Sequence, residues 1–99
     1  MESFELGSDV PLSFYLTVGN KKVVPHGTSA QLLSPGGRFI AFIPTKSEGN
    51  EISTVISAGV IKKVGKYTVL FDVMVPGRGK QQHAIEFKVI PSVLGKKTQ

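Results

Sequence analysis

The sequence predicts an all-β fold, and three observations lead to this prediction. No stretch repeats apolar residues at the i, i+3, i+4, i+7 spacing of an amphipathic helix over about 11 uninterrupted residues. Short runs of β-branched and aromatic residues recur instead, and clusters of glycine, proline, asparagine and serine separate them. With 40% hydrophobic residues, the chain is also too apolar for disorder. Six or seven short, mostly antiparallel strands of this kind are typical of a β-sandwich, with a β-barrel as the alternative.

The first predicted element is a hairpin. The β-forming residues 14–18 are followed by Gly19-Asn20 and then by residues 21–24. This pair suits a two-residue hairpin turn, because glycine readily adopts the positive φ that such turns require. The later predicted strands, each bounded by turn residues, cover residues 28–33, 38–43, 51–57, 66–75 and 82–90. Residues 58–64 are either a short strand or an irregular crossing.

Alternation along these strands predicts which faces are buried. Every second residue from Tyr67 to Val75 is apolar or aromatic, so these side chains share one face of a strand. Residues 51–57 and 82–90 alternate in the same way. Residues 38–43, Arg-Phe-Ile-Ala-Phe-Ile, are apolar on both faces, which predicts a central strand covered on both sides. Residues 45–50 and 76–80 are predicted loops.

Length and charge predict one domain with two charged tails. A chain of 99 residues has the size of a single domain, and no apolar run approaches the roughly 20 residues that a bilayer requires. Residues 1–9 contain three acids and no base, so the other residues carry 12 bases against 4 acids, a charge of +8. We expect an acidic N-terminal tail at 1–9, one β-sandwich domain at 10–91, and a basic tail or linker at 92–99.

Residue types that catalysis requires are scarce. The chain has no cysteine, which excludes disulfides, thiol nucleophiles and cysteine-ligated metals. His26 and His83 are far apart in sequence and belong to no metal-binding spacing. No G-x-S-x-G motif is present, and residues 77–79 form a G-x-G with no following helix that could bind a phosphate. We therefore predict a protein that is not an enzyme and that uses no metal or cofactor.

One motif resembles a known family. Residues 64–69, Val-Gly-Lys-Tyr-Thr-Val, resemble the start of strand F in immunoglobulin-like domains, where Asp-x-Gly-x-Tyr-x-Cys occurs. Gly65 and Tyr67 match the glycine and the tyrosine, whereas Lys63 and Val69 replace the aspartate and the cysteine. The resemblance implies a cysteine-free immunoglobulin-like sandwich. It also implies a structural corner at Gly65 and Tyr67, where the tyrosine hydroxyl bonds a backbone carbonyl.

The resemblance extends upstream. Residues 23–30 are similar to the turn between strands A′ and B of such domains, which makes residues 28–33 the equivalent of strand B. Ala30 or Leu32 would then face the second-cysteine position across the sandwich. Phe39 or Phe42 would replace the buried tryptophan of strand C.

This arrangement predicts two separated basic ends. The first holds the basic cluster of Lys62, Lys63 and Lys66, with His26 and the lysines at 96–97. The second holds the loops at 34–37 and 76–80, which we predict to bind a partner because loops on a rigid sandwich commonly carry recognition. The candidate binding residues are Ser34, Gly36, Gly37, Arg38, Gly77, Arg78 and Lys80.

The predicted function is that of a non-catalytic, immunoglobulin-like module. It would bind a protein partner or a neighbouring domain, or serve as a structural part of a larger protein or assembly. Leu70 and Met74 on the nominally outer face either form an exposed apolar patch, which marks an interface, or are covered by a neighbouring segment. The alternatives are a basic β-barrel that binds nucleic acid and a self-assembling surface or viral structural subunit. Nucleic acid is disfavoured because strict alternation puts Phe39 and Phe42 on opposite faces.

Overall fold

The structure, a computed structural model, describes residues 1–92. These residues form ten strands and no helix, so they contain no helix that could cross a membrane. The strands are β1 (Glu2–Glu5), β2 (Val10–Tyr15), β3 (Thr17–Val18), β4 (Lys21–Lys22), β5 (Gly27–Leu33), β6 (Phe39–Ile43), β7 (Lys46–Glu48), β8 (Glu51–Ile56), β9 (Gly65–Val75) and β10 (Gly79–Ile90). The predicted all-β fold is confirmed.

Two sheets and a small hairpin make up the sandwich. The larger sheet has the order β1-β10-β9-β5-β6, and the smaller one has the order β2-β8-β7. Neighbouring strands are antiparallel except β1, which pairs with β10 in parallel. Between the sheets lie the side chains that alternation predicts: β9 buries Tyr67 through Val75 at every second position, and β8 buries Ile52, Thr54 and Ile56.

The hairpin at the start of the chain confirms its predicted turn. Gly19 and Asn20 both have positive φ, 55° and 66°, as a primed two-residue turn requires. The loop between β9 and β10 is shorter than predicted, because Gly79 already pairs with Val75 and only residues 76–78 form the turn.

Three strands occur where the sequence predicted none or only part of one. Glu2–Glu5 lies in the predicted acidic tail, yet it pairs with β10, and the Phe4 ring meets Phe87 edge to face at 5.9 Å. β2 begins at Val10, and β7 lies within the predicted loop at 45–50. The residues of β7 are polar, so alternation gave no signal for that strand. The predicted tail at 92–99 lies almost wholly outside the described residues.

The equivalence of residues 28–33 with strand B is wrong. Immunoglobulin strands B and F lie in opposite sheets. Here β5 is the direct neighbour of β9 in one sheet, and Leu32 pairs with Val69 within that sheet rather than across the core. The chain order of similar β-runs does not reveal which sheet a strand joins, and the assignment relied on that order.

The prediction that residues 38–43 form a central strand is also wrong. β6 is the last strand of the larger sheet, so its outer edge has no partner among residues 1–92. Phe39 is 53% exposed and Phe42 is 73% exposed, and neither replaces a buried tryptophan. Of its apolar residues, Ile43 is the one that reaches the core.

The outer strands β7 and β6 differ in the charges that they carry. On β7, at one edge of the smaller sheet, Lys46 Nζ lies 2.8 Å from Glu48 Oε1. The hydrogen bond between them, and secondly their Coulomb attraction, lowers the pKa of Glu48 and raises the pKa of Lys46. Charges on an edge strand discourage pairing with other chains. Among the described residues, β6 carries no such ion pair.

Candidate binding surface

A tyrosine corner anchors one end of the sandwich. The Tyr67 hydroxyl donates a hydrogen bond to the Lys63 carbonyl oxygen at 2.7 Å, and the Tyr67 ring stacks on Phe87 with centroids 5.9 Å apart. Gly65, with φ of 150°, lies between Lys63 and Tyr67 in the chain. A Cβ at Gly65 would stand 2.8 Å from Pro35 Cγ, so the absence of a side chain lets the loop at 34–38 approach β9.

A cleft of about 320 Å³ opens between that loop and residues 60–64, and we call it the end cleft. The buried side chains of Ile61 and Tyr67 contribute to it from the core side. The other lining residues are Ser34, Pro35, Ile40, Val60, Lys62, Lys63 and Val64. Three of these are large apolar side chains left substantially exposed: Ile40 at 39%, Val60 at 38% and Val64 at 48%.

Hydrogen bonds within the loop at 34–38 fix one wall of the end cleft. The Ser34 amide donates to the Arg38 carbonyl at 2.8 Å, and the Arg38 amide donates to Ser34 Oγ at 3.1 Å. The Gly37 amide donates to the Ser34 carbonyl at 2.8 Å. The loop is therefore a closed turn that holds Pro35 against Gly65.

Two lysines line the end cleft. Lys62 and Lys63, which we call the lysine rim, are exposed and form no ion pair with any of residues 1–92. Lys66 is the member of the predicted cluster that does have a partner, with its Nζ 3.6 Å from Glu86 Oε2. The Arg38 backbone closes the loop that forms the other wall of the cleft.

A β-bulge creates an exposed pair of aromatic rings beside the end cleft. Phe39 pairs with Leu33 and Ala41 pairs with Leu32, so Ile40 is an extra residue without a counterpart on β5. The bulge reverses the alternation, which puts Phe39 on the outer face with Phe42 and leaves Ile40 to line the cleft. The two phenylalanine rings, which we call the aromatic pair, meet edge to face with centroids 5.0 Å apart.

Half-buried apolar residues extend the aromatic pair across the outer face. Leu33 is the neighbour of Phe39, and Leu70 lies one strand beyond Gln31, the neighbour of Phe42. Met74, also predicted on the outer face, is 44% exposed farther along β9. Of the two residues predicted to form an apolar patch, Met74 is exposed and Leu70 is half-buried, so within residues 1–92 that patch is exposed only in part.

The two predicted binding loops lie at opposite ends, not at one. Loop 34–38 contacts Gly65 at the start of β9, whereas Gly77, Arg78 and Lys80 follow Val75 at its end. The 11 residues of β9 separate them by roughly 33 Å at about 3.3 Å per residue. Because β5 runs antiparallel to β9, its end must lie at the start of β9, and the incorrect strand B assignment hid this.

The membership of the basic ends changes accordingly. The loop with Gly36, Gly37 and Arg38 belongs with the lysines at 62, 63 and 66. His26, by contrast, donates its backbone amide to the Met74 carbonyl at 2.8 Å and belongs with Arg78 and Lys80. The predicted lysines at 96–97 lie outside the described residues. Two separated basic ends remain, with different members from those predicted.

Sequence reasoning missed the aromatic pair and most of the end cleft. A β-bulge is defined by how a strand pairs with its neighbour, so residues 38–43 alone could not have located the bulge in β6. Residues 60–64 form no strand, and their role becomes visible only once Tyr67 binds Lys63. Among the described residues, no group of three or more histidine, cysteine, aspartate or glutamate side chains could hold a metal ion.

Comparison with known proteins supports the fold. The crystal structure of CopC from Methylosinus trichosporium OB3b is similar, with a TM-score of 0.60 over 92% of this chain and 86% of that chain. Their sequence identity is 20%, so the similarity shows the fold alone. No protein-family model and no curated protein matches the sequence. The comparison therefore supports a β-sandwich, and does not specifically support the immunoglobulin group.

Proposed function

We propose that this chain is a non-catalytic binding module that contacts a protein partner through the aromatic pair and the end cleft beside it. The observation that carries the proposal is the exposure of Phe39 and Phe42, at 53% and 73%, on a strand whose outer edge has no partner within residues 1–92. Isolated exposed apolar residues are common on protein surfaces, but a contiguous group marks an interface.

The contrast between two of the outer strands, β7 and β6, supports this proposal. The β7 edge carries a lysine–glutamate ion pair, which discourages association. The exposed large side chains of β6 are instead the apolar Phe39, Ile40 and Phe42. A partner that covers β6 would remove these apolar side chains from water, which stabilises the complex.

The geometry of the aromatic pair suits binding. Aromatic residues dominate the energetics of interfaces, and burying apolar area stabilises a complex by about 25 cal/mol per Å² before association costs. Phe39 and Phe42 already contact each other at 5.0 Å. They therefore lose less side-chain freedom on binding than two independent rings would.

Affinity capture with matched surface variants tests the proposal. The full chain is immobilised, partners are captured from extracts of cells that produce it, and the affinity of the purified partner is measured. We expect Phe39→Ser with Phe42→Ser to weaken binding by at least ~10-fold, since two anchor residues of about 1 kcal/mol or more are removed. Thermal unfolding of each variant checks that it is folded.

The control replaces two other exposed apolar residues, Tyr15→Ser and Val55→Ser, which are 66% and 50% exposed on β2 and β8 of the smaller sheet. These substitutions should leave the affinity within about 2-fold, because scattered surface residues contribute little. Equal weakening by both pairs would remove the aromatic pair as the contact surface.

Single-stranded nucleic acid is a second candidate, favoured by one observation. The bulge puts both phenylalanines on one face, where bases could stack, and Arg38 precedes them in the chain. A gel-shift assay with a single-stranded oligonucleotide at low and moderate salt tests this candidate. Strong retardation that Phe42→Ser abolishes would favour nucleic acid over a protein partner, and no retardation at micromolar protein would exclude it.

A further inference from the structure

We infer that the end cleft binds an acidic peptide segment that inserts one aliphatic side chain, so that the partner of this module carries such a segment. This inference rests on the proposed function and names the chemistry of its partner. It uses the end cleft and the lysine rim, whereas the proposed function rests mainly on the aromatic pair.

The walls of the cleft define the inserted group. Ile40, Val60 and Val64 are aliphatic, partly exposed and turned toward the same space, with Ile61 and Tyr67 buried beside them. A volume of about 320 Å³ is at the small end of ligand pockets. It is large enough to admit a large apolar side chain, and the hydrophobic effect favours filling it because water there contacts aliphatic carbon.

The charges define what flanks that side chain. Lys62 and Lys63 line the cleft, and none of the described residues lining it is acidic. Neither lysine has an ion-pair partner within residues 1–92. Carboxylates on either side of an inserted side chain would therefore find unpaired ammonium groups, and complementary charge also steers association.

The same charges disfavour a second copy as the occupant. A symmetric dimer built on this end would oppose Lys62 and Lys63 to themselves, because the same patch of both copies meets at a two-fold axis. The chain as a whole carries a net charge of +5, which adds to the repulsion. Nucleic acid fits less well in the cleft itself, since its walls are aliphatic and bases stack on aromatic rings.

Titration of the full, isotope-labelled chain by NMR tests the inference. The probe is a synthetic peptide of glutamates and aspartates around one central leucine. We expect amide shifts centred on Ile40 and residues 60–64, and an affinity that falls as salt rises. Two control peptides, one with serine for leucine and one with lysines for the acids, should each bind at least ~10-fold more weakly, because each lacks one of the two interactions.

Charge reversal provides the matched variants. Lys62→Glu with Lys63→Glu should weaken the acidic peptide by at least ~10-fold. Lys21→Glu with Lys22→Glu makes the same change in net charge on the exposed hairpin strand β4, and it should change affinity by less than about 2-fold. Equal effects of both variants, equal binding of the serine peptide, or the same amide shifts with tighter binding by an oligonucleotide would each overturn the inference.

The result is separable from that of the proposed function. If the captured partner still depends on Phe39 and Phe42 while no acidic peptide enters the cleft, the inference is wrong and the proposed function stands. If the peptide binds in the cleft but partner capture ignores the aromatic pair, the contact surface of the proposed function is wrong and the inference stands.

Discussion

Gly65 combines a backbone conformation and a close contact that a side chain does not tolerate. Its φ of 150° is uncommon for residues with a Cβ, and a Cβ there would lie 2.8 Å from Pro35 Cγ. The glycine of the resemblance motif therefore has a physical role in this chain. It allows the loop at 34–38 to lie against the start of β9 and form one wall of the end cleft.

Gly65→Ala is expected to destabilise the fold by about 1–3 kcal/mol, the usual cost of a strained backbone conformation. Urea unfolding followed by circular dichroism measures it. Gly36→Ala is the control, because Gly36 has no positive φ and its nearest contact is Ser34 Oγ at 3.9 Å. That variant should stay within about 0.5 kcal/mol of the parent. Equal losses in both would show that the close approach at Gly65 is unimportant.

The Tyr67 hydroxyl gives a second prediction at this scale. Tyr67→Phe keeps the ring against Phe87 but removes the 2.7 Å hydrogen bond to the Lys63 carbonyl, so we expect a loss of about 0.5–1.5 kcal/mol in unfolding free energy. Amide exchange should accelerate in residues 60–64, which that bond ties to β9. Unchanged stability and exchange would mean that the corner does not organise the cleft.

The strand β1 forms through its pairing with β10, because its local sequence does not predict a strand. Residues 2–5, Glu-Ser-Phe-Glu, have two acids and no apolar run, and so the sequence predicted a tail. This segment nevertheless pairs with the side of β10 that faces away from β9, and Phe4 is half-buried against Phe87. A partner strand supplied from the far end of the chain cannot be recognised from four local residues.

Phe4→Ala tests whether β1 is part of the domain. Because a fully buried phenylalanine costs about 3–5 kcal/mol when truncated, a half-buried one should cost about 1–2 kcal/mol. Urea unfolding measures this, and exchange should accelerate at the β10 amides opposite β1. Glu2→Ala, at an exposed position of the same strand, should have little effect. If Phe4→Ala were equally silent, the segment would be the tail that its composition predicts.

Prediction succeeded where local pattern decides the outcome and failed where pairing decides it. The alternation of β8 and β9 identified their buried faces, and Gly19-Asn20 identified its turn. The apolar segment 38–43 was misassigned, because a segment with apolar residues on both faces can be a buried central strand or an edge strand with exposed apolar side chains. The position of the bulge depends on how β6 pairs with β5, and the sheet order depends on the other strands. Residues 38–43 alone therefore could not reveal either.

At the scale of the whole molecule, basic residues lie at both ends of the sandwich. The lysine rim and Arg38 lie at one end, and Arg78 and Lys80 lie at the other, along the 11 residues of β9. The net charge of +5 alone suggested nucleic acid, but it did not reveal that an apolar cleft opens within one basic end. That combination favours an acidic, apolar-anchored partner over a phosphate backbone.

The charge distribution also predicts the oligomeric state. Like charges at the end cleft should keep the chain monomeric in sedimentation equilibrium at high concentration and low salt, despite its exposed phenylalanines. Raising the salt should permit at most weak association. A stable dimer at low salt that Phe42→Ser dissociates would instead support the self-assembling subunit, with the aromatic pair as the contact between copies.

Site-specific crosslinking shows directly whether a protein partner covers the aromatic pair. Phe42 is replaced by a photoreactive benzophenone amino acid in the full chain, with Tyr15 replaced in a parallel sample. Both positions are strongly exposed, at 73% and 66%, but on different sheets. We expect a crosslink from position 42 to the captured partner and none from position 15. A crosslink from position 15 alone, or equal crosslinks from both, would contradict it.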